Sequence, residues 1–221
     1  MILSYSQVST FERCPKMWYY LYVKKLTLPT DPNMEFGKKI HAAIQKYLLS
    51  SDDDSWGQKA KKYLDKFSIT DYQIEQELLF GNFHGILDVV GKDKQGNIHV
   101  VDWKTSRIEY TEHDVVTSLQ LTAYADLTLK CFGKLPKLVH YGVFDKNSGF
   151  FAGYASSRKE EDVVEWDRRV EVTAKLMEIE YNVRNPLSCY SYNRKCHFYS
   201  KCWSKDSGFE GGLELPKIGG K

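Results

Sequence analysis

The chain has 221 residues, 42% of them hydrophobic, enough for one compact domain that buries most of its apolar surface. Its 31 lysines and arginines balance 29 aspartates and glutamates to a net +2, so charge alone singles out no polyanionic partner. No stretch reaches the roughly 20 uncharged apolar residues that cross a bilayer, and MILSYSQVSTFERCP lacks a basic region leading into an apolar core, so a soluble intracellular (cytoplasmic) protein is expected.

Residues 4–22 carry Val8, Phe11, Trp18 and Leu21 at helical intervals, and Pro15 should divide them into two short helices. Phe36, Ile40, Ile44 and Tyr47 form one stripe, which predicts a helix over about 35–50. SDDDSWGQKAKKYLDKF then supplies acidic caps ahead of a second amphipathic helix. From Tyr72 the period changes. YQIEQELLF, HGILDVVGKD and NIHVVDWKTS are rich in β-branched residues and separated by GN and KDKQGN, which predicts a three-stranded meander. A helix over about 113–131 follows, then strands around LVHYGVFD and GFFAGYAS joined by KNSG, then one long helix from Arg158 to Tyr181. GGLELPKIGGK has little to bury, so residues 204–221 are expected to form a flexible tail behind a single domain over 1–203. This order of elements predicts an α/β fold, a central mixed β-sheet flanked by helices. The 15 Tyr, 11 Phe and 5 Trp fill a core more readily than they serve as stacking platforms for unpaired bases.

In VVDWKTS, Asp102 and Lys104 are two apart on a strand, so both project from one face. Hairpin pairing of GILDVV with that strand would set Asp88 beside Asp102. Two carboxylates about 4 Å apart repel by roughly 4 kcal/mol at an effective dielectric near 20. A hard divalent cation with oxygen ligands resolves that conflict. By itself Asp-x-Lys is a common surface ion pair, and the surrounding order is what distinguishes it. Glu75 and Glu77, just upstream, are within reach of the same metal, but an exposed strand face explains them more cheaply, and His84 reads as a strand-surface residue.

FGKKIHAAI, then GILDVV and VVDWKTS on adjacent strands, then SLQLTAYA opening a helix, is an order that resembles the PD-(D/E)XK nucleases. More specifically, it resembles the RecB-like branch that includes AddB, the CRISPR adaptation nucleases and phage exonucleases, from SYSQVSTFERCP to CHFYSKCW. Leu87 stands where the founding label of the superfamily has proline. The resemblance implies a restriction-endonuclease-like core in which His41, Asp88, Asp102 and the Trp103 carbonyl hold Mg²⁺ or Mn²⁺. It implies that Lys104 positions or activates the attacking water, and that Gln120 and Tyr124 hold DNA or orient Lys104. The implied activity is hydrolysis of DNA, by an exonuclease preferring single-stranded ends, in recombination, repair or phage DNA metabolism in a bacterial host. The alternative is a non-cleaving nucleic-acid-binding subunit of a larger repair or packaging complex.

Three of five cysteines crowd the last fifth of the chain, which in a reducing compartment argues for a metal or iron–sulfur site over disulfides. The resemblance implies that Cys14, Cys189, Cys196 and Cys202 together bind a [4Fe-4S] cluster that clasps the chain ends. Their C-x6-C-x5-C trio departs from the usual C-x2-C-x5-C, which leaves zinc or no metal open. Cys131 reads as a small buried hydrophobe.

Overall fold

Alternating side chains and short turns set the sheet. The computed structural model describes residues 1–50, 53–191 and 194–203, and the expected tail lies outside them. Strands β2 (Asp71–Phe80) and β3 (Phe83–Lys92) fold back through Gly81-Asn82, where Gly81 has φ 59°. β3 and β4 (Ile98–Ser106) turn at Gly96, φ 78°, braced by the Asp93 carboxylate accepting from the Gln95 and Asn97 amides at 2.9 Å. β5 (Leu138–Asp145) lies parallel to β4, and β6 (Phe151–Ser156) returns antiparallel beside it. β1 (Leu3–Ser4) pairs parallel with β3 at Phe83 and His84. The sheet is therefore mixed, in the order β1-β3-β4-β5-β6, with β2 also on β3. It is the expected restriction-endonuclease-like arrangement.

Successive residues of β4 and β5 feed two cores. On one face Val100, Val139, Tyr141 and Val143 meet α1 (Tyr5–Arg13), α2 (Pro15–Trp18), α6 (Leu119–Phe132) and α7 (Glu160–Glu178) through Phe11, Trp18, Leu121 and Trp166. On the other, Val101, Trp103 and Phe144 meet α3 (Pro32–Ser50) and α4 (Ser55–Lys66) through Ile40, Ile44, Tyr63 and Leu64. The anticipated acid cap is Asp54, which accepts from the Trp56 and Gly57 amides at 2.8 Å. No described helix is long and apolar enough to cross a membrane.

Three differences from the sequence reading have physical causes. The helix expected over 113–131 is two, α5 (Glu112–Val116) and α6. Ser118 ends the first by capping the second, its Oγ accepting from the Leu121 amide at 3.2 Å. The buried Arg158 guanidinium spans the break, donating to the Val115 and Ser118 carbonyls at 2.8 and 3.2 Å. The long helix is accordingly shorter than Arg158–Tyr181. Finally, a two-residue strand such as β1 is too short to carry a period.

The irregularity that positions the site lies between β3 and β4. Their ladder runs from Lys92↔Ile98 to Val89↔Val101, and β1 pairs the opposite end of β3. Asp88 and Asp102 sit where β4 has parted from β3.

Candidate active site

Each residue of the motif reaches this fork from a different element. Asp88 extends across it, Oδ2 accepting from the Trp103 amide at 2.6 Å, so the carboxylate satisfies backbone that the interrupted ladder leaves unpaired. From α3, His41 Nδ1 stands 3.5 Å from Asp88 Oδ1. Burial alone would lower the imidazole pKa, yet the hydrogen bond and charge of Asp88 raise it on balance.

Glu75 belongs with these two. One ligand atom each of His41, Glu75 and Asp88 lie within 4.8 Å of one another, so Glu75, exposed as read from the sequence, also reaches the metal-ligating group. The pairing of β2 with β3 steps from Ile74↔Val89 to Gln76↔Leu87, and Glu75 between them adopts φ 50°. A left-handed conformation costs a non-glycine residue on the order of 1 kcal/mol, a price that local strain at functional sites commonly carries. Burial and the nearby Asp88 push the Glu75 carboxyl up, with His41 opposing. Glu77 instead pairs with His84 at 2.9 Å on the strand surface, as read from the sequence.

Asp102 is 4% exposed. Burial pushes its carboxyl up to about 6, Lys104 opposing and Asp88 adding to the rise. Oδ1 accepts from Gln120 Nε2 at 3.0 Å. The buried Oδ2 forms an ion pair with Lys104 Nζ at 2.7 Å. Burial works against the Lys104 charge, but Asp102, Tyr141 and Asp88 outweigh it, so the ammonium is held protonated.

Gln120 and Tyr124 share one face of α6, as their i, i+4 spacing requires. Gln120 Oε1 accepts from Lys104 Nζ at 2.7 Å while its Nε2 donates to the Tyr124 hydroxyl at 2.9 Å as well as to Asp102. This amide thus grips both members of the ion pair, and Tyr124, buried beneath it, fixes the amide. Trp103 fills the second core, and its ring lies against Gly142, where a Cβ would come within 2.3 Å of Cε3 and Cζ3.

Sequence reasoning missed two aromatic neighbours. Lys104 Nζ stands 5.1 Å from the Tyr141 ring centroid. Tyr5, whose hydroxyl is pushed up by burial with Lys104 opposing, faces the same ion pair from α1. Tyr141 is identified by its register opposite Asp102 on β4 and Tyr5 by the packing of α1, and neither is a local signal.

The four cysteines named from both ends of the chain line one cavity with Met17, Phe198 and Tyr199. Cys14 sits at the junction of α1 and α2. Cys189 follows a 3-10 turn (Pro186–Ser188) and Cys202 closes the short helix α8 (Tyr199–Cys202). The Asn185 and Ser188 side chains donate to the Arg13 carbonyl at 2.8 and 2.6 Å, holding the segments together. Trp203 Nε1 donates to Cys189 Sγ at 3.3 Å. Burial raises the Cys202 thiol, and the neighbouring Cys14, Cys196 and Cys189 add to the rise. Cys131 lies apart, half-buried against the first core rather than fully enclosed.

A model of the PD-(D/E)XK nuclease superfamily matches residues 2–67 and 54–202. No curated protein matches the chain. Among solved structures, an alkaline exonuclease (LHK-Exo) from Laribacter hongkongensis is 10% identical with a TM-score of 0.51, over 81% of this chain and 89% of its own. The same exonuclease in complex with dAMP gives 0.52 at 10% identity over the same shares. A protein assigned as an exonuclease from Eubacterium rectale gives 0.54 at 10% identity, over 96% of this chain and 90% of its own. At these identities the likeness is one of fold.

Proposed function

The chain belongs to the PD-(D/E)XK nuclease superfamily, and on that premise we propose that it is a Mg²⁺- or Mn²⁺-dependent deoxyribonuclease, an exonuclease acting on single-stranded DNA ends in recombination, repair or phage DNA metabolism. The observation that carries this reading is the buried Asp102 carboxylate, ion-paired with a protonated lysine next to a second group of ligand atoms from His41, Glu75 and Asp88. The exonuclease neighbours, one of them with a deoxynucleotide, support the direction of the assignment.

The donor set fits a hard divalent cation. Carboxylate oxygens predominate and one imidazole joins them. Asp88, Asp102, Glu75 and His41 would hold it, with the Trp103 carbonyl as a further ligand. Such a cation neutralises phosphodiester charge and lowers the pKa of bound water. Lys104 would position or activate the attacking water and stabilise charge developing on the phosphoryl oxygens. Gln120 keeps the ammonium aimed, and Tyr124 keeps Gln120 in place.

The thiols fit a second metal group. Four of them from distant segments surround one cavity, where Cys14, Cys189, Cys196 and Cys202 would bind a [4Fe-4S] cluster, with zinc as the alternative.

Digestion of end-labelled single- and double-stranded DNA with Mn²⁺ tests the activity. Expected is a product ladder from the single strand that disappears in EDTA and falls on the order of 10²–10³-fold in Asp102→Ala and Lys104→Ala. Full activity in both variants removes the assignment. Retardation of single-stranded DNA without product would identify a non-cleaving subunit instead. Absorption near about 400 nm in anaerobically purified protein, lost in Cys14→Ser, reports the cluster.

A further inference from the structure

Beyond Lys104 the same sheet face continues into a groove that the proposed cleavage chemistry leaves unused. Lys104 is in register with Val143, and Val143 with Ala152 across the β5–β6 hairpin. Cross-strand partners share a face, so these two short side chains lie in a row beside the lysine, on the side that carries Asp102. They floor a cavity of about 370 Å³ bounded by Tyr110, Phe150 and Tyr154, with Arg107 at its rim. Tyr141 connects the groove to the active site. Its ring meets the Lys104 ammonium on one side, and Tyr110 approaches it edge-on at 5.7 Å on another.

Phe150 is 68% exposed, an aromatic ring kept in water at the mouth of an apolar floor. Folding does not require it there, because it buries little. Of the two carboxylates lining the cavity, Asp145 is already engaged: its Oδ1 accepts from the Asn147 and Ser148 amides at 3.0 and 2.6 Å and from Ser148 Oγ at 2.7 Å. Arg107 and Glu109 at the rim offer a cation for phosphate and an acceptor for an exocyclic amino group.

We propose that this groove is a subsite for one unpaired nucleobase of the strand whose phosphate reacts at Lys104, with the base stacking on Phe150 and the tyrosines and Arg107 meeting the adjoining phosphate. The inference rests on the nuclease reading above and deepens it, because it supplies a physical source for single-strand preference. A base within a duplex has both faces covered by its neighbours and presents only its edges, whereas an unpaired base offers a face to an aromatic wall. A stacking platform also tolerates any base, as an enzyme that consumes a strand end must.

The test pairs a change in the substrate with a change in the protein. A single abasic residue is walked along an end-labelled single-stranded oligonucleotide, and kcat/KM with Mn²⁺ is measured at each position for wild type and Phe150→Ala. Wild type is expected to lose roughly tenfold when the abasic residue falls at one position next to the cleaved phosphate, the scale of one base–aromatic stack. Phe150→Ala is expected to lose a similar factor on the unmodified strand and to show no further drop at that position. A wild-type profile that is flat along the strand, or a drop of equal size in Phe150→Ala, overturns the subsite while digestion of the unmodified strand leaves the nuclease reading standing. No digestion of any strand overturns both.

Discussion

At the scale of single residues, Asp102 is the group whose environment conflicts most with its charge. Because burial raises its carboxyl to about 6, the metal-free folded protein binds that proton more tightly than the unfolded chain does. The resulting stability is fully present below the ordinary carboxylate range and is lost as pH rises through about 6. A divalent cation competes with the same proton. Mn²⁺ should therefore raise the melting temperature by several degrees at pH 7.5 and by close to nothing at pH 5, and equal shifts at both would exclude Asp102 from the metal site. Gln120 allows a second prediction. It bonds Lys104, Asp102 and Tyr124 at once, so Gln120→Ala should lower kcat about 10- to 100-fold with little change in KM, the signature of a lost orienting contact. A rise in KM alone would mean that the amide binds DNA directly.

At the scale of elements, the site depends on how β4 is held between two layers. Trp103 anchors the strand in the second core, and its ring occupies the space over Gly142 of β5. Gly142→Ala would drive a methyl into that ring, and overpacking of this kind costs about 1–3 kcal/mol. Urea unfolding should show that loss, accompanied by weaker Mn²⁺ binding because the Trp103 amide is the partner of Asp88. A variant as stable as wild type would mean that the ring can move aside freely. On the opposite layer, Ser118 both caps α6 and meets the Tyr141 hydroxyl at 2.5 Å. Ser118→Ala should cost about 1 kcal/mol in the same assay, the usual scale of a lost cap.

At the scale of the whole molecule, residues 13–16 meet residues 182–202 where the four cysteines gather. Lys16 donates its backbone N–H to the Val183 carbonyl at 3.0 Å, and the Asn185 and Ser188 side chains reach Arg13, so the amino-terminal helices and the carboxyl-terminal segment support each other across the full sequence. Ligation of a shared metal group there would add stability by linking segments distant in sequence. Cys14→Ser should accordingly lower the melting temperature by several degrees together with any visible absorption, whereas Cys131→Ser, outside the cavity, should leave the absorption intact. Parallel loss in both variants would argue against the cavity as the binding site.

What the sequence determined by itself is whatever repeats locally. β-Branched content and the intervening turn signals placed the strands of GILDVV and VVDWKTS, the amphipathic stripes placed the helices, and the i, i+2 and i, i+4 spacings put Asp102 with Lys104 and Gln120 with Tyr124. What only the tertiary structure decided is what depends on register between segments that never meet in the sequence. The parting of β3 from β4, the left-handed turn that brings Glu75 to His41 and Asp88, and the position of Tyr141 beside Lys104 all follow from how whole strands align. So does the break before α6, which the buried Arg158, just ahead of α7, spans through the Val115 and Ser118 carbonyls. Local propensity is a property of neighbours along the chain, whereas a site is a property of neighbours across it.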